Sequence, residues 1–105
     1  MIANMLLAYG DLALDTDSGD CSCGPRETHL GPQQVRMMEL MFQANGRTVT
    51  RNHLLNALWR GADDGPEAKS IDVAVHRLRR KMAGLDATTA IETAWGFGYR
   101  LSERR

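Results

Sequence analysis

The chain has 105 residues, enough for one domain with one modest core and not for two. Charged residues make up 25% and apolar residues 43%, the profile of an ordinary folded chain. Thirteen Lys and Arg balance thirteen Asp and Glu, and a zero total argues against general electrostatic adhesion to nucleic acid or anionic membrane. The average conceals an asymmetry. Residues 1–65 hold five basic and eight acidic side chains, whereas residues 66–105 hold eight basic and five acidic. Five of those basic residues lie between Lys69 and Lys81, against the single acid Asp72. No apolar run approaches the roughly 20 residues of a membrane span. The N-terminus has no basic residue before Arg26 and no long apolar centre, unlike a signal peptide. Cys21 and Cys23 stand too close together to staple a fold, so a reduced cytoplasmic setting with no membrane partner is expected.

The first thirty residues read as short strands. Leu6 to Ala8 is one, and Leu12 and Leu14 alternate with Asp11, Ala13 and Asp15 in a second. Thr16-Asp17-Ser18-Gly19 is a turn by composition. Asp20 to Cys23 and Arg26 to Leu30, broken by Gly24-Pro25, complete a four-stranded antiparallel unit over 1–31 that is rich in Asp. Pro32 then opens a helix, since its missing N–H costs little in the first turn. Val35, Met38, Leu40, Met41 and Phe42 give that helix its apolar stripe, and Asn45-Gly46 ends it. Met37, Met38 and Met41 read as adaptable core. Thr48-Val49-Thr50 is an extended link whose last residue can cap a second helix, with Leu54, Leu55, Leu58 and Trp59 as its apolar face. Arg60 to Pro66 is a loop. A third helix is expected from about Glu67 to Ala83, closing a three-helix core over 32–84. A hairpin follows over 90–102, turning at Gly96 and Gly98.

The third helix carries the functional signal. At 100° per residue, Ile71, Val75, Leu78 and Met82 form one narrow seam. Lys69, Val73, His76, Arg77 and Arg80 share the opposite face, with Ser70 at its edge and Arg79 and Lys81 flanking the seam. A solvated face usually mixes both signs at i, i+4, and this one does not. Arg offers a planar fork to phosphate or to guanine O6/N7, and Val73 suits a thymine methyl better than water. A basic helix followed at once by a twisted hairpin is the pattern of a winged helix. Trp95, Phe97 and Arg100 lie on that wing, and one of Trp95 and Phe97 is expected in the core with the other near the tip.

Other chemistry is poorly supported. Cys21-Ser22-Cys23 supplies only two metal ligands with no second pair, and His29, His53 and His76 are scattered without nucleophile partners. Gly96-Phe97-Gly98 is a turn, not a phosphate cradle. No metal, cofactor or enzymatic activity is expected.

These residues resemble a known family. Gly31-Pro32, Thr48-Val49-Thr50-Arg51, the LNALW stretch, Ile71-Asp72-Val73, the RLRRKM block and IETAWGFGYRL together resemble the OmpR/PhoB-type winged-helix effector domain of bacterial response regulators. Within it, LNALW and IETAWGFGY look most like the CtrA branch. The resemblance implies an α+β winged helix-turn-helix with an N-terminal four-stranded antiparallel sheet, three helices and a C-terminal hairpin wing. It implies that Val73, His76, Arg77 and Arg80 contact bases. It implies that Trp59, Lys69, Ser70, Arg79, Thr93 and Tyr99 lie at the DNA backbone, and that Arg60, Asp63 and Asp64 lie in a loop that touches RNA polymerase. Trp95 stands where some members carry a minor-groove Arg. The expected activity is sequence-specific double-stranded DNA binding in transcriptional control, in the bacterial nucleoid, without a receiver domain or its phosphorylation switch. The expected state is a monomer free in solution and a dimer or tandem pair on DNA. The alternative is a protein-interaction module or competitor that binds RNA polymerase or another regulator.

Overall fold

A computed structural model describes residues 6–59 and 69–103, without the side chains of Leu58, Trp59, Lys69 and Ser70. The elements run β1 (Leu6–Tyr9), β2 (Leu12–Asp15), β3 (Asp20–Cys23), β4 (Arg26–His29), α1 (Pro32–Ala44), β5 (Val49–Thr50), α2 (Arg51–Trp59), α3 (Lys69–Ala83), β6 (Thr89–Ala94) and β7 (Gly98–Glu103). The α+β winged helix-turn-helix arrangement expected from the sequence is the one observed.

The N-terminal sheet is antiparallel in the order β1-β2-β3-β4. Tyr9 pairs with Leu12 across a two-residue turn. Gly10 opens that turn at φ +59°, a conformation that a side chain strains. Leu12 and Leu14 point inward and are fully buried, as their alternation requires. The β2–β3 turn closes on Asp15, whose Oδ1 accepts from the backbone N–H of Asp17 at 2.9 Å and of Ser18 at 3.2 Å.

Helix α1 begins at Pro32. Gln34 Oε1 accepts from the Gly31 N–H at 3.0 Å and satisfies one of the donors left open at the helix start. At the other end Asn45 takes the left-handed conformation at φ 53°, and Gly46 follows it at φ 90°. Asn tolerates this region because its short polar side chain bonds locally. Thr50 caps α2, its Oγ1 accepting from the His53 N–H at 3.1 Å.

One core unites all the layers. Leu12, Leu14 and Cys21 come from the sheet, Met37, Met38, Met41 and Phe42 from α1, and Leu54 from α2. Ile71, Val75, Leu78 and Met82 come from α3, and Ile91, Tyr99 and Leu101 from the hairpin. Each fully buried Val, Leu, Ile or Met among them is worth roughly 1.5–3 kcal/mol. All three clustered methionines are fully buried.

Two features differ from the sequence reading. Val49–Thr50 is not a mere link. It adds a third strand to the hairpin, giving the order β5-β7-β6. Two residues carry no periodicity of their own, so only the pairing partner Gly98–Tyr99 reveals them. The hairpin also starts earlier than expected, because Thr89 is 2% exposed and belongs to β6.

Candidate nucleic-acid interface

Helix α3 divides as its sequence requires. Ile71, Val75 and Leu78 are fully buried and Met82 is 7% exposed, so the seam faces the core. On the other side His76, Arg77 and Arg80 are exposed, and Val73 is 49% exposed. The four residues expected to contact bases therefore share one open face. Arg77 and Arg80 make no hydrogen bond or ion pair among the described residues.

The flanking basic residues behave differently. Arg79 is half-buried. Its Nε and Nη2 donate to the Ile91 carbonyl at 3.0 and 2.7 Å, and Nη2 also donates to Thr93 Oγ1 at 3.0 Å. Strand β6 is a sheet edge, so Arg79 covers a carbonyl that has no neighbouring strand. Its guanidinium lies 5.6 Å from the centre of the Tyr99 ring. Lys81 turns the other way, donating from Nζ to the His29 carbonyl at 2.9 Å and to Gln34 Oε1 at 2.8 Å.

The lone acid of the helix, Asp72, holds a cluster that the sequence reading did not assign. Arg51 donates to both its carboxylate oxygens, at 2.5 and 2.9 Å. The Tyr99 hydroxyl donates to Asp72 Oδ1. The hydrogen bonds from Arg51 and then Tyr99 hold the Asp72 carboxyl below its ordinary range, outweighing partial burial. Burial, with the bond to Asp72, raises the Tyr99 phenol. The single Asp amid five cations was the one available sign of this cluster.

Thr93, Tyr99 and Arg79, all expected at the DNA backbone, thus engage one another and their neighbours. Tyr99 is only 5% exposed. Its side chain lines, with Arg51, Asp72, His76, Trp95 and Phe97, a cleft of about 370 Å³ between α3 and the hairpin tip. Trp59, Lys69 and Ser70 lie at helix ends whose side chains fall outside the described residues, as does the whole Arg60, Asp63 and Asp64 loop.

The wing tip corrects an expectation. Trp95 and Phe97 are both open, at 86% and 71% exposure, so neither enters the core. The last strand pair is Ala94–Gly98, and the Phe97 N–H donates to the Ala94 carbonyl at 2.9 Å. Both rings therefore sit on a three-residue turn beyond the sheet, and Tyr99 fills the core position instead. Arg100 on the wing is paired with Glu92 across the hairpin at 2.9 Å. Cys21 is buried, which raises its thiol to about 11, and Cys23 packs half-buried against the core. Among the described residues, no helix is long and apolar enough to cross a membrane.

A basic helix seated on two others, with a three-stranded hairpin sheet beside it and a four-stranded sheet behind, defines a winged-helix domain. Residues 25–101 match the family described as transcriptional regulatory protein, C terminal. The chain belongs to that family, of the OmpR/PhoB type. It is 35% identical over 102 residues to the cell cycle response regulator CtrA of Brucella anthropi, a match covering 96% of this chain and 44% of that relative. The chain therefore spans less than half the length of the curated relatives it matches. Among solved structures it resembles the Klebsiella pneumoniae RstA DNA-binding domain in complex with RstA box. The TM-score is 0.72 at 25% identity, covering 92% of this chain and 96% of that one. It also resembles the DNA-binding domain of Bacillus subtilis CssR, at TM-score 0.70 and 26% identity, covering 87% and 99%.

Proposed function

We propose that this chain binds duplex DNA sequence-specifically and controls transcription. Helix α3 enters the major groove with Val73, His76, Arg77 and Arg80 toward the base edges, and the wing lies along the neighbouring backbone or minor groove. The observation that carries this reading is the open face of α3, where two unpaired Arg flank an exposed Val on a helix otherwise seated by its apolar seam. An Arg fork on guanine discriminates by about 1–3 kcal/mol, and an apolar side chain against a thymine methyl adds to it.

Lys69 and Ser70, at the start of α3, and Trp59, at the end of α2, are the proposed phosphate contacts. Their placement at the ends of α2 and α3 supports this. Trp95, Phe97 and Arg100 are the proposed wing contacts, on the strength of the open rings at the tip. The loop with Arg60, Asp63 and Asp64 is proposed to meet RNA polymerase, by family resemblance alone. The chain is proposed to be a monomer free in solution that pairs on tandem half-sites about one helical turn apart.

The test is selection of bound duplexes from the host genome, followed by affinity against salt for a selected duplex. Log affinity should fall linearly with log salt, by about 0.9 for each phosphate neutralised. Arg77→Ala should cost about 1–3 kcal/mol on the selected duplex and relax the preference at one position. Intact specific binding in both Arg77→Ala and Arg80→Ala would show that another face reads the DNA.

A further inference from the structure

We propose that Asp72 is a positioning residue that sets the recognition helix against the wing, and that Tyr99 serves DNA recognition through Asp72 rather than by touching phosphate. This rests on the DNA-binding reading. Three segments meet at the one carboxylate. Arg51 starts α2 and grips both oxygens of Asp72. The Arg51 backbone N–H also donates to the Phe97 carbonyl at 3.2 Å, so the same residue holds the wing tip. Tyr99, from β7, reaches the carboxylate from the wing side. Behind Tyr99, Arg79 returns from α3 to its ring, to Thr93 and to the Ile91 carbonyl. The chain of contacts leaves α3 at Asp72 and comes back to it at Arg79, enclosing the part of the wing next to its turn.

The chemistry favours positioning over contact. A carboxylate on a face that meets a polyanion repels it, and direct binding gains nothing from its presence. Asp72 has a use only if holding Arg51 and Tyr99 outweighs that repulsion. The Arg fork fixes orientation as well as distance, because two parallel bonds forbid rotation. Tyr99 is nearly buried and its hydroxyl is already committed, so the phenol has little left to offer a phosphate. Helix and wing must contact DNA at once, and an error in the angle between them falls most heavily on the duplex that demands both.

The measured quantity is the ratio of affinities for two duplexes, one recovered by selection from genomic fragments and one a scramble of it. Binding is measured where circular dichroism shows each variant folded. Asp72→Asn should lower the ratio about tenfold by weakening the selected duplex, with the scramble held as well as before or slightly better. Tyr99→Phe should lower it in the same direction by about threefold. Asp72→Glu, which keeps the charge, should recover part of the loss. A merely structural residue would shift melting and leave the ratio alone. An unchanged ratio in folded Asp72→Asn, or equal tightening on both duplexes, would overturn the proposal, leaving Asp72 as a repulsive charge only. Equal weakening of both duplexes by Tyr99→Phe would overturn it too, since Tyr99 would then touch the backbone itself. If Asp72→Asn does not fold, Tyr99→Phe decides. A wild-type chain that cannot tell the two duplexes apart defeats the DNA-binding reading first, and this proposal with it.

Discussion

Two carboxylates tie distant parts of this molecule together, one where the N-terminal sheet meets the start of the hairpin and one on the proposed DNA-facing side. Asp11 is the second residue of the β1–β2 turn and accepts from the Thr88 N–H at 2.6 Å, the Thr88 hydroxyl at 3.0 Å and the Thr89 N–H at 3.0 Å. It joins the N-terminal sheet to the start of the wing. Asp72 joins α2, α3 and the wing tip through Arg51 and Tyr99. Partial burial pushes the Asp11 carboxyl up, but its hydrogen bonds from Thr88 and Thr89 outweigh that and hold it far below its ordinary value. Asp72 is lowered mainly by Arg51. The difference lies in the donors. Asp11 is held by neutral backbone and hydroxyl groups, which suits a joint that only has to stay closed. Asp72 is held by a charged fork beside the cleft, which suits a joint whose angle matters to a ligand.

Substitutions can break either joint. The largest effect is expected at Gly98, beside Tyr99. A Cβ there would lie 1.9 Å from the Val49 carbonyl oxygen and 2.9 Å from Thr50 Cα, both backbone atoms. Gly98→Ala should cost about 3 kcal/mol and free β5 from the hairpin, read as a lower Tm and a loss of duplex discrimination together. Next is Gly10, beside Asp11, with φ +59° and a would-be Cβ 2.2 Å from Thr89 Oγ1. Gly10→Ala should cost about 2 kcal/mol in Tm-based stability. The specific-to-scrambled affinity ratio should stay intact, and a fall in that ratio would erase the distinction between the two joints.

Asp11→Asn should cost about 1 kcal/mol at neutral pH, a figure already reduced for solvent exposure. Its pH dependence has a fixed sign. A carboxyl whose folded pKa lies below its ordinary 3.8 stabilises the fold fully above that value. That contribution is lost as pH falls through the folded pKa. Urea melts of the wild type and Asp11→Asn should therefore differ by a constant amount at pH 5–7 and converge only in strong acid. The smallest effect is expected at the exposed Glu92–Arg100 pair. Glu92→Gln should move stability by less than about 0.5 kcal/mol, while freeing Arg100 for DNA and tightening binding slightly.

The fold was largely legible where one element decides its own fate. The α3 seam, the Pro32 start and the Leu12/Leu14 alternation are local patterns, and each matches the observed burial. What was not legible depends on partners far along the chain. Asp11 meets Thr88 across 77 residues and Tyr99 meets Asp72 across 27, and no period marks such pairs. Trp95 and Phe97 misled for a related reason. Aromatic rings favour a core, but a core has room only where the register points, and Tyr99 held that place. The open face of Val73, His76, Arg77 and Arg80 was readable from the wheel. The commitment of Arg79 and Lys81 to the protein itself was not.

That commitment bears on how the chain would search for its site. With Arg79 and Lys81 occupied inside the protein, Arg77 and Arg80 are the cations of α3 left open among its described side chains. Long sliding along DNA depends on many loose phosphate contacts that survive each step. A recognition helix offering so few should itself release random sequence after brief visits, favouring repeated hops through solution. The helix's own hold on DNA would then be set mainly by its fit, together with the wing, at the correct site.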